Sequence, residues 1–133
     1  MPQPEYFAAE GIEAVSKQDV FARAHMVSLH LPLLPETKHI VNADTLASMR
    51  PDAFLINTAR GPLVDYAALT EALKTNRIAG AAVDVYDQEP PTDTEFLALE
   101  NLICTPHIGG TSTEAVLRMP PDMRRLGSHV ISR

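Results

Sequence analysis

The stretch from Ala53 to Asp65 narrows the folds open to this chain more than any other. The apolar run Ala53-Phe54-Leu55-Ile56 reads as a buried parallel strand, bounded by Pro51-Asp52 before it and Arg60-Gly61-Pro62 after it. Asp65 is placed to cap a helix from Tyr66 to about Thr75, in which Ala68, Leu69, Ala72 and Leu73 follow the helical period. A strand passing through a tight turn into a helix is half of a βαβ unit. In open α/β sheets, ligands bind beyond the carboxyl ends of such strands. Arg60 falls at that end, suited to gripping an anion. Taken alone, it reads equally as a surface Arg whose stem covers apolar ground.

The flanking sequence repeats the theme. Ile12 to Val15 reads as a short strand, and Ser16 as the cap of a helix from Lys17 to Ala24. Met26 to Leu31 is the next strand, stopped by Pro32. Asn42 is placed to cap a helix from Ala43 to Met49, which Arg50-Pro51 ends. Beyond the central unit, Ile78 to Asp84 is a strand of small residues. Val85 to Thr94 is an acidic, proline-rich loop, Leu97 to Glu100 a short turn, and Asn101 to Thr105 the last strand. Ser112 can cap a helix from 113 to 119, broken by Pro120-Pro121. Strands separated by single helices imply a parallel sheet with right-handed crossovers.

With 133 residues, this is one domain at most. A net charge of −6 argues against non-specific nucleic-acid binding, which needs basic patches. No apolar run approaches the roughly 20 residues of a membrane span, and the start Met1-Pro2-Gln3-Pro4-Glu5 lacks the basic and apolar regions of a signal peptide. Cys104 is the single cysteine, so no intrachain disulfide or Cys-based zinc site is available, and a cytoplasmic setting is expected.

Three polar elements follow successive strands: Arg60, the segment Asp84 to Glu89, and His107. Each has a plain structural explanation by itself: a surface cation, a capping carboxylate, a solvated loop acid, a turn residue. In a parallel sheet they share one rim. There an Arg fork can bind a carboxylate in bidentate fashion, and a His can exchange a proton near neutral pH. A neighbouring carboxylate would fix the tautomer of that His and favour its charged form. A keto acid needs all three.

Four motifs, in order and spacing, carry a resemblance. They are Ser28-Leu29-His30-Leu31-Pro32-Leu33 with Pro35-Glu36-Thr37; Leu55-Ile56-Asn57-Thr58-Ala59-Arg60-Gly61; Ala82-Val83-Asp84-Val85-Tyr86 with Glu89-Pro90; and Thr105-Pro106-His107-Ile108-Gly109-Gly110. Over about residues 5–119 the chain resembles the cofactor domain of the D-isomer-specific 2-hydroxyacid dehydrogenases, of the phosphoglycerate dehydrogenase type. The resemblance implies an α/β fold, part of a Rossmann-type doubly wound parallel sheet in three αβα layers. It also implies residues 1–119 as the C-terminal part of a dinucleotide-binding domain, followed by an irregular tail, 120–133. Arg60 would bind the substrate carboxylate and carbonyl, His107 would be the general acid–base, and Glu89 its partner. Asp84 and the backbone around Thr58-Ala59 would hold the nicotinamide carboxamide, with His107, Ile108 and Gly109 alongside. Leu31 and Pro32 would line the adenine side, and Thr37 would lie near the dinucleotide. NAD is the implied cofactor, with NADP left open, and a small 2-hydroxy or 2-keto acid the implied substrate.

The chain departs from that pattern. It contains no Gly-x-Gly-x-x-Gly turn, the element whose backbone N–H groups approach the pyrophosphate. The expectation is therefore a fragment lacking the first βαβ unit and the substrate domain. Ile12–Val15 would lose its neighbour, and Met26–Leu31 would become an exposed edge able to pair two copies as a homodimer. Three readings follow: an enzyme fragment inactive alone, a non-catalytic interaction module, or an enzyme completed by a second polypeptide.

Overall fold

Four short strands line up in chain order in a computed structural model, which describes residues 7, 9–112 and 118. They are β1 (Met26–Leu29), β2 (Phe54–Asn57), β3 (Gly80–Val83) and β4 (Leu102–Cys104), all parallel, in the order β1-β2-β3-β4. Helix α1 (Lys17–Arg23) precedes the sheet. Helices α2 (Ala43–Ser48), α3 (Tyr66–Lys74) and α4 (Thr94–Leu97) make the three crossovers.

Each helix starts where a side-chain oxygen accepts an orphaned backbone N–H. Ser16 accepts from Asp19, Asp65 from Ala68, and Asn42 forms a reciprocal capping box with Thr45. The expected strands and helices are all somewhat shorter in the structure, as fraying ends require.

Side chains alternate across the sheet, and the register sorts them into two rows. Val27, Leu55 and Ala81 form one row with Leu29, Asn57 and Val83, all buried. Phe21, Leu46, Met49, Leu69 and Leu73 from the helices complete that core. Fully burying one such side chain contributes about 1.5–3 kcal/mol, so this one face holds the fold together. The opposite row carries Met26, Phe54 and Ile103, which are 61%, 47% and 68% exposed. Among the described residues no helix covers that face. Of the three layers expected, two are therefore described.

Two expectations are corrected. Ile12–Val15 is not a strand: Ile12 is 49% exposed, and no strand lies beyond β1 to satisfy its backbone. The segment read as loop and turn between residues 85 and 100 contains α4, which Asp93 caps by accepting from the N–H groups of Glu95 and Phe96. That short helix buries Phe96 edge-on against Tyr66, with ring centroids 5.2 Å apart. The helix expected at 113–119 (residue 118 apart) and the tail 120–133 lie outside the described residues.

Candidate functional site at the carboxyl rim of the sheet

Because all four strands run parallel, the loops that leave β2, β3 and β4 emerge along one rim. Neighbouring strands lie about 4.8 Å apart, which brings the outer two of these loops within about 10 Å at their roots.

The β2 loop is set by Asn57, fully buried at the strand end. Its side-chain oxygen accepts from the Ala59 N–H at 3.1 Å and its amide donates to the Arg60 carbonyl at 3.0 Å. This turn leaves Thr58 exposed, Ala59 half-buried and Arg60 exposed. The Arg60 guanidinium donates to the Ala59 carbonyl at 2.6 Å, and among the described residues no carboxylate pairs with it. Gly61 follows because nothing larger fits: a Cβ there would stand 2.1 Å from the Tyr86 carbonyl carbon. The Arg60 turn is thereby pressed against the start of the β3 loop.

That loop begins with Asp84, which is 6% exposed. Burial by itself would push the carboxyl up. The Thr105 hydroxyl at 2.5 Å and the N–H groups of Ile108 at 2.9 Å and Gly109 at 2.8 Å outweigh it, and the group is held below the usual carboxylate range. Gly109 is needed for the approach, since a Cβ there would lie 2.9 Å from the Asp84 carboxylate. Two of these bonds fall on Oδ1 and one on Oδ2, so one acceptor position remains for an outside donor such as a carboxamide.

Glu89 and His107 meet directly, Glu89 Oε2 lying 2.8 Å from His107 Nδ1. The other carboxylate oxygen accepts the Tyr86 N–H at 3.1 Å. Together the His107 bond, the larger cause, and this N–H hold the Glu89 carboxyl below its ordinary value. His107 has a left-handed backbone, with φ +55°, a conformation that costs a non-glycine residue about 1 kcal/mol or more.

Leu31, Pro32 and Thr37 stand apart from this group, on the loop leaving the edge strand β1. Leu31 and Pro32 are exposed. The Thr37 hydroxyl is used by its own loop, accepting from the Leu34 N–H at 2.8 Å and facing the Pro32 carbonyl at 2.8 Å. No hydrogen bond joins these three to Arg60, Asp84 or His107. Backbone bonds from His39 to Pro62 and from Val41 to Leu63 tie the two regions together.

Three residues that shape the rim escaped sequence reasoning as site residues: Asn57, Tyr86 and Thr105. Asn57 had a readable signal, since an Asn ahead of a turn commonly bonds the backbone two residues on. Tyr86 and Thr105 had none, because their partners lie 19 and 21 residues away in sequence.

Residues 1–109 match the family described as D-isomer specific 2-hydroxyacid dehydrogenase, NAD binding domain. The D-3-phosphoglycerate dehydrogenase of Methanocaldococcus jannaschii is 44% identical over 106 residues, covering 79% of this chain and 20% of that protein. The apo D-mandelate dehydrogenase of Rhodotorula graminis superposes with a TM-score of 0.80 at 32% identity, covering 86% of this chain and 34% of the other. An NAD-complexed D-isomer specific 2-hydroxyacid dehydrogenase from Lactobacillus delbrueckii gives 0.75 at 31% identity, covering 86% and 39%. The chain thus spans a fifth of the curated relative and little more than a third of each solved one. A match over residues 1–109, joined to the same parallel sheet, leaves one assignment: this chain belongs to the D-isomer specific 2-hydroxyacid dehydrogenases, within their NAD-binding domain.

Proposed function

We propose that this chain carries the nicotinamide side and the proton-transfer groups of an NAD-dependent oxidoreductase that interconverts a 2-keto acid and its D-2-hydroxy acid. The observation that carries the reading is the 2.8 Å contact between Glu89 and His107 on the rim that also bears the Arg60 cation without a carboxylate partner.

Arg60 binds the substrate carboxylate through its planar fork. His107 delivers a proton to the keto oxygen from Nε2 and takes it back in the reverse direction, since Nδ1 is engaged by Glu89. Glu89 fixes the ring and stabilises its charge once protonated. The dinucleotide, when bound, supplies the hydride. Its carboxamide fits the remaining acceptor position on Asp84 and the backbone at Thr58-Ala59, whereas the sequence holds no glycine-rich turn for a pyrophosphate. Leu31, Pro32 and Thr37 line the adenine side.

Titration of the purified chain with NADH, followed by nicotinamide fluorescence and accompanied by far-UV circular dichroism, tests this reading. Saturable enhancement that weakens in Asp84→Ala supports it. A folded chain that leaves the fluorescence unchanged at millimolar NADH rejects autonomous cofactor binding and favours the interaction-module reading.

A further inference from the structure

Tyr86 touches both loops that meet at the acid–base pair. Its backbone N–H donates to Glu89 Oε1 at 3.1 Å, and its hydroxyl donates to the Thr105 carbonyl at 2.9 Å. Thr105 stands two residues before His107, whose Nδ1 lies 2.8 Å from the other Glu89 oxygen. The contacts close a ring: Tyr86 to Glu89, Glu89 to His107, along the chain to Thr105, and back to Tyr86.

We propose that Tyr86 is a positioning residue whose hydroxyl holds the β4 loop where His107 Nδ1 meets Glu89. The proposal rests on the acid–base reading of that pair.

The β4 loop has particular need of such a tie. Pro106 offers no N–H, so it cannot anchor the loop by donating a hydrogen bond. His107 adopts a left-handed backbone that must be imposed from outside. Asp84 supplies part of that constraint through Thr105 Oγ1 and the N–H groups of Ile108 and Gly109. Among the described residues the Tyr86 hydroxyl is the one donor to the Thr105 carbonyl. The phenol is well braced to act on something else. Its residue is 8% exposed, and its ring lies 6.3 Å from that of Tyr66, whose own hydroxyl bonds the Val85 carbonyl. A buried Tyr usually needs a partner for its hydroxyl. Here that partner is a backbone atom of the catalytic loop, which converts an ordinary packing residue into a constraint on the pair.

The test reads the neutral His107 ring by ¹⁵N NMR of the labelled full-length chain, with resonances assigned through His107→Gln. In the wild type the ring carries its proton on Nδ1. Tyr86→Phe keeps the ring packing and removes the hydroxyl. The ratio of Nδ1–H to Nε2–H tautomer should fall by about fivefold, the factor one ordinary hydrogen bond supplies. Glu89→Ala should abolish the Nδ1–H preference outright. An unchanged ratio in Tyr86→Phe with a lost preference in Glu89→Ala overturns the role of Tyr86 and leaves the pair intact. No change in either variant rejects the pair itself. Loss of far-UV dichroism in Tyr86→Phe also overturns the proposal, because a residue required for folding is not one that merely positions the pair.

Discussion

Asp84 and Arg60 hold opposite kinds of charge. The Asp84 carboxylate is enclosed and saturated by donors, and its folded-state pKa is lowered. A lowered value means that the unfolded chain binds the proton more readily. The stabilisation is therefore complete above the ordinary Asp value of about 3.9 and is lost as pH falls through the folded value. Asp84→Asn keeps one acceptor oxygen but turns a donor toward the Gly109 N–H. Urea unfolding at pH 7 should show a loss of about 1–3 kcal/mol, and the acid-side fall in stability should become shallower than in the wild type. An unchanged slope between pH 5 and pH 3 would remove Asp84 from that account. Arg60 is exposed and bonds one carbonyl of its own turn, so the fold does not depend on it. Arg60→Lys should leave the urea midpoint in place while lowering kcat/KM for a 2-keto acid by about 10- to 100-fold, the loss expected for a charge-assisted bidentate contact. That kinetic arm is read in whatever preparation turns over NADH. An unchanged kcat/KM would sink the assigned role.

At the scale of elements, the turn between β2 and α3 shows what a sequence can and cannot disclose. The strand, the Asp65 cap and the helical stripe through Leu69 and Leu73 were legible because each is a local pattern with a local cause. The same holds for Ser16 and Asn42. The requirement for Gly61 was not legible in physical terms, since the reason is the Tyr86 backbone, 25 positions along the chain. The rim trio was readable as a group through parallel topology, which brings successive strand ends together. The hydrogen bonds that orient the trio were not, because they run between loops. The strand expected at Ile12–Val15 failed for a related reason: its apolar residues are local, whereas a strand exists only with a neighbour. Gly61→Ala tests the close approach. A methyl group 2.1 Å from a carbonyl carbon must drive the two segments apart, at a cost of about 1–3 kcal/mol. The urea midpoint should fall with an unchanged slope. A midpoint equal to wild type would mean that the β3 loop yields freely and does not brace the Arg60 turn.

The molecule as a whole is lopsided. One face of the sheet carries the helices and the core, while the other presents Met26, Phe54, Ile56, Ala82 and Ile103 around a hollow of about 370 Å³. This is the largest of the described hollows, yet it lies on the flat of the sheet and away from the rim where the polar groups gather. Its walls are apolar, and none of the rim residues lines it, so it has the chemistry of an uncovered surface and not of a reaction site. An uncovered surface of this kind should bind a hydrophobic dye in the folded state. The chain at pH 7 should enhance 8-anilinonaphthalene-1-sulfonate fluorescence at urea concentrations well below the unfolding transition. Ile103→Lys and Phe54→Lys place a charge in the middle of that face, where the parent side chains are 68% and 47% exposed and bury little on folding. Each should cut the enhancement by more than half while moving the urea midpoint by no more than about 0.5 kcal/mol in free energy, the ordinary range for a surface substitution. Dye binding that survives both substitutions would place the apolar surface elsewhere. A large loss of stability would mean that the face is packed in the folded chain, and the two-layer description would then have to give way to three.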